Sequence, residues 1–462
     1  MAPPLLTELP YREDSARLFE SIADLPWAVF LDSGRHHAGQ SRYDILSAQP
    51  YVRLVTRGAL TEIYADTVAL SREDPFALLR RALDVDPACG GALPFCGGAI
   101  GYFGYDLARR LERLPALAED AERIPEMAAG IYDWAVVVDH VERRSWLAGQ
   151  GRDPETDIKW DALVASFSEP PRERARQPFR ILSPVASNMT HDDYARAFRR
   201  IRGYIHDGDC YQVNLAQRFS AAAAGDPWLA YQRLRVINPA PFSAYFSTPY
   251  AQILSASPER FLRVEGGRVE TRPIKGTRPR AGHARLDAEQ IEQLRASEKD
   301  RAENLMIVDL LRNDLSKNCA PGTVRVPKLF DVESFATVHH LVSTVTGELK
   351  AGRDALDLLR GCFPGGSITG APKLRAMQIV EELEPHRRGV YCGAIGYVGF
   401  DGGMDLNIAI RTLVISHGTV RCWAGGGIVA DSQLEDEYQE TFDKAAAMLK
   451  VLQQSAAGQR EA

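Results

Sequence analysis

The sequence predicts an α+β fold in which large, mainly antiparallel β-sheets are flanked by helices. Short apolar runs that end at Gly, Pro or Asp, such as "WAVFLDSG" and "YVRLVTRG", are typical of strands. Longer segments repeat apolar residues at three- and four-residue spacing, which is typical of amphipathic helices. With 462 residues, of which 45% are hydrophobic, the chain is long and apolar enough to bury a large core.

Composition limits the classes of partner. The chain carries 55 Lys and Arg against 61 Asp and Glu, a net charge of -6, so its overall charge does not favour binding to a nucleic acid. Its seven cysteines are spread along the chain without a C-x-x-C pair, which indicates the reduced thiols of a cytoplasmic protein rather than disulfides or a zinc site. The sequence begins without a signal-peptide pattern, and no stretch reaches the ~20 apolar residues of a membrane span, so we expect no membrane association.

Two segments rich in Pro, Gly and charge divide the sequence, "GQGRDPETD" at 149–157 and "SEPPRERARQPFRILSP" at 168–184. We place the main boundary near residue 185, between an N-terminal region, 1–184, and a C-terminal region, 185–455. In the N-terminal region, "DPFALLRRALDV" is predicted to form a helix that Asp74 caps and Pro75 begins.

One internal similarity links the two regions, because "CGGAIGYFGYD" at 96–106 resembles "CGAIGYVGFDG" at 392–402. Glycines three apart in an apolar run indicate strands that other backbone approaches closely, and we interpret the two as equivalent strands of two related sheets. Coincidence in a chain with 37 glycines is the alternative. No helix pattern follows either copy, so neither is a dinucleotide-binding fingerprint.

The C-terminal region begins with a helix signal. "THDDYARAFRRIRGYIHDGD" opens at Thr190, has Asp193 three residues further on as in a capping box, and then places apolar residues on one face. The segments "CYQVNLAQRFSA", "PFSAYFST" and "AQILSASPERFLRVEGGRVETRPIKGTRP" follow, and we expect antiparallel strands joined by turns. The next apolar pattern predicts one long helix from about Asp287 to Ser316.

Two pairs of acidic residues stand at i, i+3 spacing on predicted helices. Asp300 and Glu303 lie on the long helix, whereas Glu437 and Glu440 lie in "SQLEDEYQETFDKAAAML", with Lys444 one turn further on. Carboxylates so close repel one another, and a cation would relieve the repulsion. If the two helices converge, their oxygens would form a site suited to Mg²⁺. The alternative is a pair of solvated helix faces, on which this spacing is common.

Two glycine-rich segments are candidates for ligand binding. "CFPGGSITGAPKLRAMQIVEELEP" leads a glycine loop into a helix, with Thr369 or Gly370 as the expected cap and Pro372 near the first turn. Free N–H groups at such a loop suit an anion, and because Ala371-Pro372 replaces the Lys-Ser/Thr of a P-loop, we expect a carboxylate rather than a nucleoside triphosphate. "WAGGGIVADS" precedes the acidic C-terminal helix, and a plain strand-to-helix turn is the alternative to a binding role.

Isolated polar residues in apolar segments are further candidates. Alternation in "MDLNIAIRTLVI" predicts a strand with Arg411 on its polar face, where it either pairs with a substrate carboxylate or faces solvent. His339 and His340 in "TVHHLVST" must point to opposite faces of a strand, and a satisfied core histidine is the alternative to a functional one. Glu259 in "SPERF" is a general acid candidate provided that it is buried. No Gly-x-Ser-x-Gly or Gly-x-Cys-x-Gly elbow occurs, so the chain does not look like a hydrolase or an amidase.

Seven segments, taken in order, resemble the motifs of the chorismate-utilising enzymes, a family that includes anthranilate, isochorismate, salicylate and aminodeoxychorismate synthases. They are "YQVNLAQRF", "SPERF", "RPIKGTRPR", "ENLMIVDLLRNDL", "VHHLVST", "FPGGSITGAPK" and "AGGGIVADSQLEDEYQETFDKA". The resemblance covers residues 188–452 closely, and the N-terminal region looks like the less regular N-terminal segment of the family. It implies the fold of anthranilate synthase component I.

The resemblance also implies roles for the candidate residues. It implies a Mg²⁺ site that faces the ring carboxylate of chorismate and is formed by Asp300, Glu303, Glu437 and Glu440. Glu303 and Glu440 would be the direct ligands. His340 would lie beside the reacting ring, and Glu259 would protonate the departing C4 hydroxyl. The positions that match carboxylate-binding residues of the family are Ser367, Tyr397, Arg411, Gly425, Gly426 and Lys444.

Two positions separate the branches of this family. Isochorismate and salicylate synthases carry a water-activating lysine where this chain has Gln212, which disfavours addition of water at C2. Anthranilate synthases resemble "PIAGT" where this chain reads "PIKGT", with Lys275 at the differing position. A lysine there is typical of the enzymes that aminate chorismate at C4, in which it attacks C2 as the C4 hydroxyl leaves. The resemblance therefore implies synthesis of 4-amino-4-deoxychorismate for 4-aminobenzoate and folate.

The attack at C2 requires Lys275 to be neutral. Burial, or the neighbouring cations Arg272 and Arg278, would lower the pKa of Lys275, whereas a bound anionic substrate would raise it. The sequence leaves this balance open.

The resemblance implies a partner and a second ligand as well. Ammonia comes from glutamine in this family, yet the chain lacks an amidotransferase nucleophile elbow, so a separate glutamine amidotransferase subunit is expected. Some relatives hold tryptophan near segments that resemble "SRYDIL" (41–46) and "NPAPFSAYF" (238–246), so a bound tryptophan is a further expectation. Two rival interpretations stay open. One is an anthranilate synthase component I, which Lys275 opposes, and the other is a non-catalytic subunit that binds chorismate or tryptophan, which the intact acidic pairs oppose.

Overall fold

The structure is a computed structural model that describes residues 5–34, 42–169, 174–335 and 338–457. Ser41 of "SRYDIL", residues 170–173 of the second separator and Thr337 of "TVHHLVST" lie outside the described residues. The α-helices within these ranges are α1 (Ser15–Phe19), α2 (Pro75–Leu83), α3 (Pro154–Ser168), α4 (His191–His206), α5 (Pro227–Ile237), α6 (Ala284–Ala296), α7 (Glu298–Ser316), α8 (Ala355–Cys362), α9 (Lys373–Leu383) and α10 (Leu434–Ala457). None of these helices has both the length and the apolar character that crossing a bilayer demands.

The strands, numbered in chain order, form two large antiparallel sheets, which confirms the predicted α+β class. The first sheet has the order β1 (Leu5–Leu9), β10 (Arg144–Gly149), β9 (Trp134–Asp139), β3 (Tyr43–Ser47), β2 (Val29–Asp32), β14 (Phe242–Ser247), β15 (Gln252–Ser257), β24 (Thr412–Ser416), β25 (Thr419–Ile428), β13 (Gln212–Ala224) and β11 (Arg180–Ile181), and β12 (Ala186–Ser187) and β21 (Gly370–Ala371) also pair with β13. The second sheet has the order β18 (Ile274–Pro279), β20 (Val338–Glu348), β17 (Arg268–Thr271), β16 (Arg260–Glu265), β23 (Met404–Ile408), β22 (Ala394–Gly399), β7 (Gly98–Phe103), β8 (Met127–Tyr132), β4 (Val52–Arg57), β5 (Leu60–Tyr64) and β6 (Val68–Ser71), and β19 (Arg325–Ser334) pairs with β20.

Each sheet contains strands from both regions that the sequence suggested. In the first sheet β2 pairs with β14, and in the second β7 pairs with β22. Strands from both sides of the predicted boundary near residue 185 therefore share each sheet, so the boundary does not separate one sheet from the other.

The similar segments at 96–106 and 392–402 form β7 and β22, which are direct neighbours in the second sheet. Gly101 stands opposite Gly396 in this antiparallel pair. The prediction of equivalent strands in two different sheets is therefore wrong, because the two copies pair with each other. The expected close approach of backbone is confirmed: a Cβ at Gly101 would lie 2.4 Å from the carbonyl oxygen of Ala128, and one at Gly396 would lie 2.1 Å from that of Asp405.

The sheets pack face to face around the main core. Side chains that both sheets contribute to this core include Val29, Ile45, Ile253, Leu54, Ile131 and Leu406. The opposite face of the first sheet packs against α1, α5 and α10 through a second apolar cluster that includes Phe19, Phe30, Tyr231, Leu254, Leu413 and Val451. The first sheet is thus covered on both faces, as its long apolar strands require.

Two of the crossings that the chain makes between the sheets lie side by side. Residues 258–259 lead from β15 of the first sheet to β16 of the second, and residues 409–411 lead from β23 back to β24. The crossings are tied together, because Ser257 Oγ donates to Ile408 O at 2.6 Å and Ile408 N donates to Glu259 O at 3.0 Å. "MDLNIAIRTLVI" is therefore not one continuous strand as predicted, and Arg411 lies on the crossing with a left-handed φ of 50°.

The starts of α2 and α4 follow the sequence closely. Asp74 caps α2, Pro75 begins it, and Thr190 and Asp193 form the predicted capping box of α4. The long helix predicted from about Asp287 to Ser316 is instead two helices, because Ser297 ends α6 and caps α7 through its side chain. The helix α7, which carries Asp300 and Glu303, therefore begins at Glu298, two residues before Asp300.

Candidate active site

Glu259 lies on the first crossing between the sheets and is 6% exposed. Its Oε1 accepts a hydrogen bond from Ser367 Oγ at 2.6 Å. Burial raises the pKa of Glu259 to about 7, although the Ser367 hydroxyl and the charges of Lys275 and Lys444 act in the opposite direction. Glu259 is therefore buried as a general acid requires, and it carries a proton in much of the population at neutral pH.

Lys275 lies in β18 directly before an irregularity in the strand. The pairing of β18 with β20 shifts register between Lys275 and Thr277, and Gly276 has a φ of 71°. A Cβ on Gly276 would lie 2.8 Å from Asp300 Cγ, so this approach of β18 to α7 requires glycine. The irregularity changes the direction of the side chains on either side of it, and it brings Lys275 towards the acidic residues of α7.

Burial and the surrounding charges together shift the pKa of Lys275. Desolvation lowers the pKa of Lys275 and outweighs the opposite effect of Glu303, while the charge of Lys444 lowers the pKa further. Arg272 and Arg278, which the sequence suggested as the neighbouring cations, are paired with Glu333 and Asp300. Burial and Lys444 therefore favour the neutral amine.

The acidic residues of α7 and those of α10 approach one another. Burial raises the pKa of Glu303, and the charges of Glu440 and Asp300 raise it further. Burial likewise raises the pKa of Glu437, with contributions from Glu440 and Glu303. The amine of Lys299 lies 4.0 Å from Glu303 Oε1 and 3.9 Å from Glu437 Oε1, so it links the two helices. The structure thus brings Glu303, Glu437 and Glu440 close enough for their charges to interact, while Asp300 lies beside Glu303 and pairs with Arg278.

The carboxylates have the oxygen chemistry that a hard cation prefers. Glu437 Oε2 is buried without a hydrogen-bond partner, which leaves an acceptor that a cation would satisfy. Within the described ranges, no three His, Cys, Asp or Glu side chains are already arranged to hold a metal ion. The residues therefore fit Mg²⁺ in their chemistry, whereas Lys299 is the cation that lies between the pairs in this structure.

The glycine run of "WAGGGIVADS" lies in β25, not in a strand-to-helix turn. A Cβ on Gly426 would lie 2.9 Å from Glu437 Oε2 and 3.4 Å from Glu440 Oε1, so the absence of a side chain admits α10 to this strand. Lys444 Nζ donates to Gly425 O at 3.1 Å and also pairs with Glu440. Burial opposes the ionisation of Glu440, but Lys444 outweighs burial and lowers the pKa of Glu440. Gly425, Gly426 and Lys444 thus border the acidic pairs.

The other glycine loop carries Ser367 to Glu259. Ser367 lies in a short 3-10 turn, Gly366–Ile368, and Gly370–Ala371 pairs with β13 before α9 begins. The cap of α9 is Pro372, without a side-chain hydrogen bond, rather than Thr369 or Gly370 as predicted. The loop is therefore held by strand pairing, and its site-facing group is the Ser367 hydroxyl.

His340 and Arg411 form the opposite part of the site. His340 is buried, and its Nδ1 lies 2.9 Å from Thr277 Oγ1 in the neighbouring strand. Burial lowers the pKa of His340 to about 3, and the charge of Arg411 contributes in the same direction, so the ring is neutral at physiological pH. Burial also lowers the pKa of Arg411, whose Nη1 makes a long contact of 3.5 Å to Asn238 Oδ1.

His339 points to the other face of β20, as the alternation predicts. It is fully buried and its ring nitrogens contact Ser334 Oγ at 2.7 Å and Asp287 Oδ1 at 2.9 Å. His339 is therefore the satisfied structural histidine of the two, and it fixes α6 to β20.

Tyr397 is the one predicted site residue that the structure does not bring to this group. Its ring packs on Phe95, and the charges that affect its pKa, after the dominant effect of burial, are those of Asp405 and Arg263. It lines a separate cavity of about 780 Å³, whose other lining residues include Tyr43, Phe242 and Ser243. Another tyrosine, Tyr391, stacks on Trp423 of β25.

Several polar groups of the site carried no recognised signal in the sequence. Gln212 was noted only as a departure from other branches, yet it is fully buried, both of its amide atoms lack partners, and its Nε2 would lie 2.7 Å from a Cβ on Gly427. Lys299 and Thr277 were not predicted either, since a lysine on a helix and a threonine in a strand are common. Only their neighbours across the fold distinguish them.

Comparison with known proteins gives consistent matches over nearly the whole chain. A family model described as chorismate binding enzyme matches residues 35–450. "Aminodeoxychorismate synthase component 1" of Klebsiella aerogenes is 49% identical, with 98% of this chain and 100% of that protein covered. The protein of the same name from Escherichia coli (strain K12) is 47% identical, with 98% of this chain and 99% of that protein covered. The crystal structure of anthranilate synthase component I from Streptococcus pneumoniae TIGR4 superposes with a TM-score of 0.79 at 33% identity, and the match covers 89% of this chain and 93% of that one.

Proposed function

The chain belongs to the chorismate binding enzyme family, and we propose that it aminates chorismate at C4 to give 4-amino-4-deoxychorismate. The high identity to proteins named aminodeoxychorismate synthase component 1 supports this reaction. The observation that carries the choice over anthranilate synthesis is Lys275, whose amine is close enough to Glu259, Glu303 and Lys444 for their charges to affect its pKa. An amine in this position can act directly on the ring.

In the proposed first step, the neutral amine of Lys275 forms a C–N bond at C2 of chorismate. Both conjugated double bonds of the ring shift by one position, the C4–O bond breaks, and the proton of Glu259 goes to the departing oxygen, so that water leaves and the lysine nitrogen becomes a secondary ammonium. Burial prepares both groups, since it favours a neutral Lys275 and a protonated Glu259. Both pKa shifts therefore favour the protonation states that the step consumes.

In the second step, ammonia forms a C–N bond at C4 and both ring double bonds shift back. The C2–N bond to Lys275 breaks, and the lysine leaves as the amine from which it began. Loss of a proton from the new substituent gives the amino group of the product.

The substrate is a dicarboxylate, and the site offers two cationic ends. Arg411 lies near the neutral His340 on one side, and Lys444 lies at the acidic pairs on the other. We propose that Arg411 binds one carboxylate of chorismate, while the backbone of the β25 glycines and the Ser367 loop border the other. A neutral His340 is then able to pack against the ring without adding charge.

We further propose that Mg²⁺ binds between the acidic pairs, with Glu303 and Glu440 as direct ligands and Asp300 and Glu437 around them. When bound, the ion would neutralise the ring carboxylate of the substrate and fix its position. Isothermal titration calorimetry with MgCl₂ tests the assignment. Glu303→Gln and Glu440→Gln should each weaken Mg²⁺ binding at least about tenfold, and parent-like affinity in both variants would exclude these ligands.

Ammonia reaches C4 from a separate glutamine amidotransferase subunit in this proposal. The support is the absence of a nucleophile elbow from the sequence, together with the word component in the names of the relatives. With chorismate present, glutamine should support turnover only after the amidotransferase subunit is added, whereas ammonium should support it without the subunit.

The cavity of about 780 Å³ is the proposed site of tryptophan. Its lining includes Tyr43 from "SRYDIL" and Phe242 and Ser243 from "NPAPFSAYF", which are the segments that suggested this ligand. Mass spectrometry of the purified protein after denaturation should detect free tryptophan. A protein without released tryptophan would remove the proposal.

The decisive experiment for the reaction is identification of the product. The pure protein is incubated with chorismate, Mg²⁺ and ammonium at alkaline pH, where free ammonia is present, and the products are separated and identified by mass and fluorescence. We expect 4-amino-4-deoxychorismate. Anthranilate as the main product would support the rival synthase, and chorismate binding without turnover would support a regulatory subunit.

A further inference from the structure

A buried ion pair lies directly behind the proposed active site. Arg388 is 1% exposed, and its guanidinium pairs with Glu384 through Nε to Oε2 at 2.9 Å and Nη2 to Oε1 at 2.7 Å. The two rings of Tyr105 and Tyr391 lie at 4.8 Å and 5.7 Å from the guanidinium carbon. The Arg388 guanidinium is therefore held in its plane by the Glu384 carboxylate and on its faces by the two aromatic rings.

The remaining donors and acceptors of the pair all go to backbone of the site. Arg388 Nη1 donates to Ile368 O at 3.0 Å, and Nη2 donates to Asn214 O at 2.7 Å. Glu384 Oε1 also accepts from Ala216 N at 2.9 Å. One buried pair thus joins two points of β13 to the 3-10 turn that carries Ser367.

The turn transmits this constraint to Glu259. Ile368 follows Ser367 directly, and the Ser367 hydroxyl donates to Glu259 Oε1 at 2.6 Å. That hydrogen bond lowers the pKa of Glu259 against the larger effect of burial. A displacement of the Ile368 carbonyl would move the Ser367 hydroxyl away from the carboxylate and remove one of the effects that oppose burial.

We propose that Arg388 and Glu384 are positioning residues that hold the Ser367 hydroxyl on Glu259 by fixing the Ile368 carbonyl to β13. Neither residue touches the reacting atoms. The consequence for catalysis rests on the proposed function, in which Glu259 is the general acid, but the positioning itself does not.

The positioning is tested first without substrate. The difference in melting temperature between the parent and Glu259→Gln, followed from pH 4 to pH 9, changes between the unfolded and the folded pKa of Glu259, so its midpoint moves when the folded pKa moves. The same comparison is made in an Arg388→Lys background. Lysine keeps the charge but cannot make the same set of directed bonds. The midpoint should move to higher pH, because the hydrogen bond that lowers the pKa is lost.

Ser367→Ala should move the midpoint in the same direction, and the shift of Arg388→Lys combined with Ser367→Ala should equal that of Ser367→Ala alone. Arg387→Lys is the matched control, since the neighbouring Arg387 pairs with Asp120 at 4.0 Å. If Arg388→Lys does not fold, Glu384→Gln takes its place, because the amide keeps the shape and one acceptor oxygen. Additive shifts, or an unchanged midpoint in a folded variant, would overturn the proposal.

Turnover provides the second measurement. Arg388→Lys should lower kcat about tenfold with little change in KM for chorismate, and it should move the alkaline limb of the pH profile upward as it moves the midpoint. If Arg388→Lys moves the midpoint of the melting-temperature difference but not the alkaline limb of turnover, the positioning role stands and the role of Glu259 as general acid is contradicted. The two failures are thereby distinguishable.

Discussion

At the scale of the residue, Glu259 and Lys275 are two groups of the proposed reaction whose ionisation burial opposes. Glu259 has a pKa raised to about 7 by burial, and the pKa of Lys275 is lowered mainly by desolvation. Their charged forms are costly in the folded protein and far less costly in the unfolded chain. Each residue therefore lowers stability in a defined range of pH, which makes its state measurable without a substrate.

Glu259→Gln should stabilise the substrate-free protein at pH 8. The folded carboxyl has a pKa of about 7 in place of the ordinary value of 4.5, so the folded state loses stability as pH rises through this window. The expected gain is about 3 kcal/mol at pH 8, fading as pH falls towards 4.5, where both states are protonated. Thermal unfolding followed by circular dichroism measures the difference. A variant less stable than the parent at pH 8 would contradict a buried ionised Glu259.

Lys275→Ala should lower amination with ammonium at least about a hundredfold while the fold survives. Lys328→Ala is the control, because Lys328 is exposed on β19 and lies far along the chain from β18, the strand that carries Lys275. Incubation of the parent enzyme with chorismate in the absence of ammonia, followed by acid quenching and peptide mapping, should find the mass of chorismate less water on the peptide that contains Lys275. Unchanged turnover in Lys275→Ala would show that this lysine is not the nucleophile.

The protonation of both residues depended on neighbours that no local pattern indicates. The sequence marked Glu259 and Lys275 as candidates, but Arg272 and Arg278 were the expected cations near the lysine. In the fold those arginines are paired with Glu333 and Asp300, and Lys444, which is distant in sequence, supplies the charge. Charges act through space, so a group remote in sequence can dominate a group two residues away.

At the scale of the element, the acidic helix α10 packs on β25 at a glycine. Gly426 has no side chain to separate the strand from Glu437 and Glu440. The i, i+3 spacing on each helix was readable from the sequence, because helical geometry alone fixes it. The meeting of α7 with α10 was not, because it depends on how both helices pack on the sheets.

Gly426→Ala should weaken Mg²⁺ binding about tenfold or more, since its Cβ would press on the carboxylates of Glu437 and Glu440. Calorimetric titration with MgCl₂ measures the effect. Gly203→Ala in α4 is the matched control, because nothing lies within 4 Å of its Cβ. The control should keep the affinity and add about 0.5–1 kcal/mol of stability, as alanine does in a helix. Equal Mg²⁺ affinity in both variants would contradict the proposed metal site.

Helix starts that nearby side chains cap were predicted correctly, whereas the points at which a helix or strand is interrupted by tertiary packing were not. The caps of α2 and α4 were correct because side chains within three residues form them. The break at Ser297 and the crossing at Arg411 were missed, since the apolar pattern continues through both. An alternating segment that leaves one sheet for another keeps its alternation, so the pattern cannot show where the partner strands change.

At the scale of the whole molecule, the two sheets are built jointly by the N-terminal and C-terminal regions. Strands β2 and β7 from the first region complete sheets whose other members include β14 and β22 from the second. The site residues lie after residue 185, yet the sheets that position Glu259 and Arg411 continue into residues before it. The catalytic motifs are thus compact in sequence, while their scaffold is not.

A fragment of residues 185–462 should therefore fail to fold alone. Removal of residues 1–184 would leave β14 and β22 as open apolar edges, which favour aggregation. Gel filtration and circular dichroism of the fragment, with the full chain as the reference, measure the outcome. Co-expression with 1–184 as a separate chain should restore soluble protein. A monomeric, cooperatively unfolding fragment would contradict this view of the fold.

The sequence by itself determined which chemical groups the protein has and in what order: a lysine beside glycine in "RPIKGTRP", a glutamate in "SPERF", two acidic pairs at helical spacing and two glycine segments. These signals are local, so residues close in the chain are enough to read them. Only the tertiary structure decided that the groups meet at two crossings between sheets, that burial and Lys444 favour a neutral Lys275, and that Tyr397 belongs to another cavity. The physical reason is that distances, burial and charge between groups remote in sequence arise from strand pairing and packing, which no single segment encodes.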